Sequence, residues 1–165
     1  MIHLVKGDIL LSDAQAIAHG IAPFDHFKTG LALALRERWP ALYKDFRHYC
    51  HQENPEPGAA WMWAGAGGKI IVNLMTQTAP RDEHDHPGKA GSASVNHALR
   101  ALRQIVEKEN ISSLALPRLA TGVGGMDWKN VEPLIKQHLG DLKIPVFVYE
   151  TYVKGEKAAE NLKAA

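Results

Sequence analysis

The chain has 165 residues, 45% of them hydrophobic and 22% charged, with a formal net charge of +1 and one cysteine, Cys50. This is length enough for one domain with its own core, and a lone cysteine excludes a disulfide framework. The near-neutral balance excludes a strong field aimed at duplex nucleic acid, and no run reaches signal-peptide or membrane-spanning character, so the reading is a cytoplasmic domain with no membrane partner.

In chain order, Ile2 and Leu4 alternate as a first strand leading into Lys6-Gly7-Asp8-Ile9-Leu10. Ala14 to Ala18 reads as a second strand running into His19-Gly20-Ile21, and Pro23 to Thr29, without periodicity, reads as a surface loop. A helix opens at Gly30 and stops before Pro40, and Ala41 to Gln52 reads as a second helix. Trp61–Ala64 and Ile70–Leu74 flank Gly65-Ala66-Gly67-Gly68 as a hairpin. Met75 to Ser92, with two prolines and two glycines among charged residues, is a long loop of the kind that is usually functional or disordered. Ala93 to Asn110 is helical, Leu114 to Leu116 is a buried strand, Trp128 to Leu139 is helical and Val146 to Tyr149 is the last strand. Residues 1–153 form one domain, and Lys154 to Ala165 is a polar tail that either extends as a helix or frays.

Strands alternate with helices, which predicts a three-layer α/β/α sandwich around a central mixed sheet. Ligands of such sheets bind outside the carboxyl ends of the strands. Between the Leu114 strand and the Trp128 helix stand Thr121, Gly122, Val123, Gly124 and Gly125. A strand, a Gly-rich turn and a helix start suit an anion, because backbone N–H groups approach closely and the helix dipole favours negative charge. The loop is neither a Walker A sequence nor a Gly-x-Gly-x-x-Gly fingerprint.

Five segments in order, Val5-Lys6-Gly7-Asp8-Ile9-Leu10, Ala18-His19-Gly20-Ile21, Thr29-Gly30-Leu31-Ala32, Asn73-Leu74-Met75-Thr76-Gln77 and Leu116-Pro117-Arg118-Leu119-Ala120-Thr121-Gly122-Val123-Gly124-Gly125, resemble a macrodomain, the ADP-ribose-binding fold. The Pro-Arg-Leu-x-Thr-Gly-Val-Gly-Gly-x-x-Trp run resembles the branch of terminal ADP-ribose protein glycohydrolase and of the antitoxin that removes ADP-ribose from thymidine in DNA. The resemblance implies that Asp8 and the Ile9 backbone meet adenine, and that Gly30 and Leu31 sit near the diphosphate and distal ribose. It also implies that the Thr121 to Gly125 backbone wraps the phosphates and that Tyr149 packs on the base. His19, Gly20, Thr29 and Pro117 complete the implied site.

The branch's key catalytic lysine lies in the loop before the long helix, where the one lysine here is Lys89. Counting back from that helix, the family position falls nearer Ser92, about three residues away. Gly124 stands where protein-directed members carry an aspartate. The implied partners are ADP-ribose, ADP-ribosylated DNA or protein, and an ADP-ribosyltransferase toxin; no cofactor and no metal is implied. A non-catalytic ADP-ribose reader is the alternative.

Each of these residues also has a plainer reading. Asp8 can cap a turn, Asp127 can cap the helix that follows it, Thr121 can close its own loop, and Arg118 can serve a carboxylate. His84-Asp85-His86 lacks metal-ligand spacing.

Overall fold

The computed structural model describes residues 1–163. Six strands form one sheet in the order β1-β6-β5-β2-β4-β3: β1 (Ile2–Gly7), β2 (Ala16–Ile21), β3 (Ala60–Ala64), β4 (Ile70–Met75), β5 (Leu114–Pro117) and β6 (Val146–Tyr152). Only β3 runs antiparallel, so the sheet is mixed and the other five strands end on one edge. One face carries α3 (Ser92–Lys108) and α4 (Trp128–Leu139), which bury Val95, Leu99, Leu102, Val131 and Ile135. The other carries α1 (Gly30–Arg38) and α2 (Pro40–Glu53), which bury Leu35, Leu42 and Phe46. The expected three-layer sandwich is present, and Pro40 serves twice: it ends α1 and occupies the first turn of α2, where its missing N–H costs nothing.

Three expectations need correction. The second strand is not Ala14 to Ala18 but Ala16–Ile21, because His19 is no loop residue: it faces Asn73 across the β2–β4 pair, and its Nε2 lies 2.7 Å from the Asn73 Oδ1. A satisfied polar pair lets the strand continue through a histidine. Pro23 to Thr29 is not a surface loop, because Phe27 is fully buried against Phe46, Tyr43 and His19. Finally, residues 154–163 run as turns and extended chain rather than as a helix; the last two residues of the expected tail, Ala164 and Ala165, lie outside the described residues.

That C-terminal segment is held by named bonds. The Asp8 N–H donates to the Glu156 carbonyl (2.7 Å), the Val153 N–H donates to the Gly7 carbonyl (3.1 Å) and Ala158 is buried beneath them. Glu160 accepts from Ser12 Oγ (2.6 Å), the Asp13 N–H (2.9 Å) and the Tyr149 hydroxyl (2.6 Å). Gly7 makes the close approach possible: its φ is +147°, and a Cβ there would stand 2.7 Å from the Glu156 carbonyl oxygen. Gly7→Ala is therefore expected to cost about 1–3 kcal/mol and to raise protease sensitivity within residues 154–163. Urea unfolding with limited proteolysis checks it, and an unchanged midpoint and digestion rate would refute it.

Candidate functional site

The shared edge of the parallel strands opens into a cavity of about 590 Å³, inside the range of small-ligand sites. Its wall follows the sheet order. Gln77 and Pro87 stand at the β4 end, and His19, Gly20 and Ile21 lie over β2. Pro117 to Gly124 follow β5, and Tyr149, Glu150 and Tyr152 stand at the β6 end. Asp25, Thr29, Gly30, Leu31 and Ala32 close the side toward α1.

Two clusters of backbone N–H groups meet in the middle of this cavity. Thr29 is the N-cap of α1 but makes no side-chain capping bond, so the first-turn N–H groups of Gly30, Leu31 and Ala32 are left for a ligand. Opposite them is the glycine loop. It is closed on itself by the Gly125 N–H on the Gly122 carbonyl (3.0 Å) and the Met126 N–H on the Ala120 carbonyl (2.9 Å). The N–H groups of Gly122, Val123 and Gly124 meet no backbone acceptor among the described residues. Gly124 is buried, and a Cβ there would stand 2.7 Å from the Ala120 carbonyl oxygen; at Gly122 it would meet nothing and would project into open space. Both clusters line the same cavity, and unpaired N–H groups at a helix start and in a glycine loop suit an anionic ligand.

Side-chain charge is sparse. Arg118 is the one lysine or arginine among the lining residues, and it lies 5.5 Å from the Trp128 ring centroid with Nη2 3.9 Å from Glu150 Oε1. Asp25 is committed to the chain: its carboxylate accepts from the Ala22 N–H (3.0 Å) and the Phe27 N–H (2.9 Å), while burial pushes its pKa up. Burial pushes His19 down to about 4, partly offset by its bond to Asn73, so the ring is neutral at pH 7. Tyr149 is buried on Glu160, and burial together with that carboxylate holds its hydroxyl well above the usual phenol value.

Of the residues expected from sequence, His19, Gly20, Thr29, Gly30, Leu31, Pro117, Thr121, Gly122, Val123, Gly124 and Tyr149 line the cavity. Asp8, Ile9, Gly125 and Lys89 do not. Asp8 accepts from the Leu10 N–H (3.0 Å) and the Gly155 N–H (2.9 Å), capping the short 3-10 turn Ile9–Leu11 and tying it to the C-terminal segment. Lys89 is exposed on the rim: its carbonyl accepts from the Thr78 N–H (3.3 Å), and the next residue, Ala90, donates to Gly124 of the glycine loop (3.0 Å). The Thr121 hydroxyl donates to the Arg118 carbonyl (2.9 Å), closing the turn, and Asp127 caps α4 through the Lys129 N–H (3.2 Å). Sequence reasoning missed Asp25, Gln77, Glu150 and Tyr152. Gln77 stands in one of the five family segments without having been given a role; Asp25, inside a segment without periodicity, left no signal.

The Macro domain family model matches residues 24–135. The chain is 28% identical over 159 residues to the DNA ADP-ribosyl transferase-DNA ADP-ribosyl glycohydrolase fusion protein of Thermosipho africanus, covering 88% of this chain and 41% of that protein. It is 28% identical over 135 residues to the DNA ADP-ribosyl glycohydrolase of Mycobacterium tuberculosis, covering 80% and 37%. The chain thus spans about two fifths of the length of these curated relatives. Among solved structures, the macrodomain of Mycobacterium tuberculosis DarG matches with TM-score 0.78 and 26% identity over 91% of this chain and 98% of that one. Thermosipho africanus DarTG in complex with ADP-ribose matches in fold with TM-score 0.81 and 23% identity, over 94% and 42%.

The buried His19 makes a pH-dependent claim. Its folded pKa near 4 lies below the ordinary 6.5, so the unfolded chain binds the proton first as pH falls. Stability from this group is full above about pH 6.5 and is lost by about 3 kcal/mol on the way to pH 4. His19→Gln keeps a partner for Asn73 and is expected to flatten the unfolding free energy between pH 6.5 and 4 relative to wild type. Equal slopes for the two proteins would rule out a buried neutral histidine.

Proposed function

The chain belongs to the Macro domain family, and from that premise we propose that it binds ADP-ribose in the cavity at the sheet edge and releases it from modified DNA by breaking the glycosidic bond. The observation that carries this reading is the pair of N–H clusters, the first turn of α1 and the Gly122–Gly124 loop, lining one cavity of about 590 Å³. With the diphosphate between them, the aromatic end at Tyr149 and Tyr152 suits the adenine. The distal ribose then falls at the Gln77 and Pro87 end. DNA as the carrier is supported by the names of the relatives from Thermosipho africanus and Mycobacterium tuberculosis. The fusion of transferase and glycohydrolase in one of them supports an ADP-ribosyltransferase as the partner whose product this chain removes.

Hydrolysis breaks the bond from the anomeric carbon to the linked nitrogen, gives that carbon the oxygen of water and returns a proton to the nitrogen. Its transition state has oxocarbenium character. Lys89 is the assigned amine. It is exposed, and the next residue, Ala90, donates to Gly124 of the glycine loop, which keeps this backbone beside the cavity wall. A second reading, a reader that binds without cleaving, is favoured by one observation: Gln77 and Pro87, the residues lining the distal end, carry no nucleophile.

Two measurements test these readings. In calorimetry, Gly122→Val is expected to weaken free ADP-ribose binding at least about tenfold while shifting stability by no more than about 0.5 kcal/mol, since the added side chain meets only open space. Unchanged binding would displace the diphosphate from the glycine loop. Lys89→Ala is expected to bind ADP-ribose within about threefold of wild type, yet to release it from ADP-ribosylated thymidine DNA at least about 100-fold more slowly. Binding without release by either protein establishes the reader; release from ADP-ribosylated protein alone overturns the DNA assignment.

A further inference from the structure

Outside the cavity, two adjoining hollows of about 570 and about 450 Å³ run along α1 and α2 and share Arg36, Tyr43, Arg47 and His51. Together they form one groove. We propose that this groove is the track for the single-stranded DNA flanking the ADP-ribosylated nucleotide, an inference that rests on the ADP-ribose site assigned above.

Position is the first argument. Asp25 lines both the groove and the cavity, and Lys28, on the groove, directly precedes the Thr29–Gly30 start of α1 that lines the cavity. The wall between them is fastened by His26 Nε2 at 3.1 Å from the Asp82 carbonyl and by Lys28 Nζ donating to the Glu83 carbonyl (3.0 Å). The loop that carries Asp82 and Glu83 also supplies Pro87 to the end of the cavity assigned to the distal ribose, so groove and ribose end share this wall.

Charge is the second. Lys28, Arg36, Lys44 and Arg47 line the groove with His26, His51 and His84. Two further carboxylates oppose them: Glu37, and Glu83, whose Oε1 lies 3.6 Å from His84 Nε2; Asp25 is held by two backbone N–H groups. Among the described residues none of the four cations forms an ion pair, whereas Arg103, Lys129 and Lys136 on the α3–α4 face each meet a carboxylate. Lys28 and Arg36 each donate to a backbone carbonyl and keep their charge without a carboxylate, and Lys44 and Arg47 stand exposed, so the four can displace counterions from a phosphate backbone.

The third argument separates a nucleic acid from an acidic peptide. The Arg36 guanidinium carbon sits 3.9 Å from the Tyr43 ring centroid and that of Arg47 5.9 Å from it, with Phe24 further along the groove. With Arg36 laid on the Tyr43 ring, the stacking surface offered to a base is the outer plane of the guanidinium rather than the ring itself, a planar contact that an acidic peptide would leave unused.

The test compares the double variant Lys44→Glu with Arg47→Glu, both exposed and outside the cavity, with the control Lys129→Glu with Lys136→Glu on α4. Free ADP-ribose is titrated by calorimetry, and a labelled thymidine oligonucleotide of about a dozen nucleotides is titrated between about 50 and 200 mM salt. The groove variant is expected to bind ADP-ribose like wild type, to lose about tenfold or more on the oligonucleotide and to shed about 1.4 from the log–log salt slope; the control stays within about twofold. Equal losses in both variants, or no loss in either, overturn the track. If wild type fails to bind free ADP-ribose, the function proposed for the cavity falls, while the oligonucleotide titration still decides the groove.

Discussion

One buried carboxylate organises the ligand edge of this molecule. Asp25 takes the N–H groups of Ala22 and Phe27, and the turn that results holds Phe27 at a φ of 52°, a conformation costly for a bulky residue. Burial of the Phe27 ring against Phe46, Tyr43 and His19 offsets that strain. The chain leaves the turn at Lys28 and enters α1 two residues later, so the direction of the α1 first turn, and hence one of the two N–H clusters, depends on this bond set. Burial raises the carboxyl's pKa, and the Phe27 and Ala22 N–H groups, with His26, oppose that shift.

The same reliance on backbone N–H groups governs the cavity as a whole. A dianionic ligand is usually met by basic side chains, and here Arg118 is the one lysine or arginine on the wall, itself drawn toward Glu150 and Trp128. The work falls on backbone dipoles, which are fixed by the fold and need no reorganisation when the ligand arrives. This makes the geometry of the glycine loop more consequential than any one side chain: the loop is braced from inside by the Met126 to Ala120 bond and from outside by Ala90.

Legibility in the sequence follows from the range of the forces involved. The Gly-rich loop, the α1 start and the β-α alternation are local patterns, and each stands in the structure where the pattern put it. His19 ended the strand too early because its partner, Asn73, lies 54 positions away, and a polar residue whose partner is distant looks like a loop residue. Pro23 to Thr29 looked solvent-facing for the same reason: the burial of Phe27 is created by α2, a later element. Asp8 shows a further limit. A carboxylate after a strand and a glycine suits a ligand and a turn equally, and the choice depends on where residues 154–163 dock, which composition alone did not show. Lys89 was legible as the only lysine of its loop, whereas the direction of its side chain was not.

The C-terminal segment ties these observations together physically. Glu160 receives the Tyr149 hydroxyl, and Gly155 donates to Asp8, so the aromatic end of the cavity and the turn after β1 are both fastened by residues beyond the last strand. A phenol bonded to a carboxylate cannot rotate away from the strand end, and Tyr149 is pinned on the Ser12 and Asp13 turn through the same Glu160. Adenine packing on that ring would therefore need no side-chain ordering on binding, a saving of about 0.5–1.5 kcal/mol for each immobilised side chain. Residues 154–163 thus act as a strap: Glu160 and Lys157 meet the Ser12–Asp13 turn, and the backbone of Glu156 and Ala158 occupies the space that Gly7 leaves open.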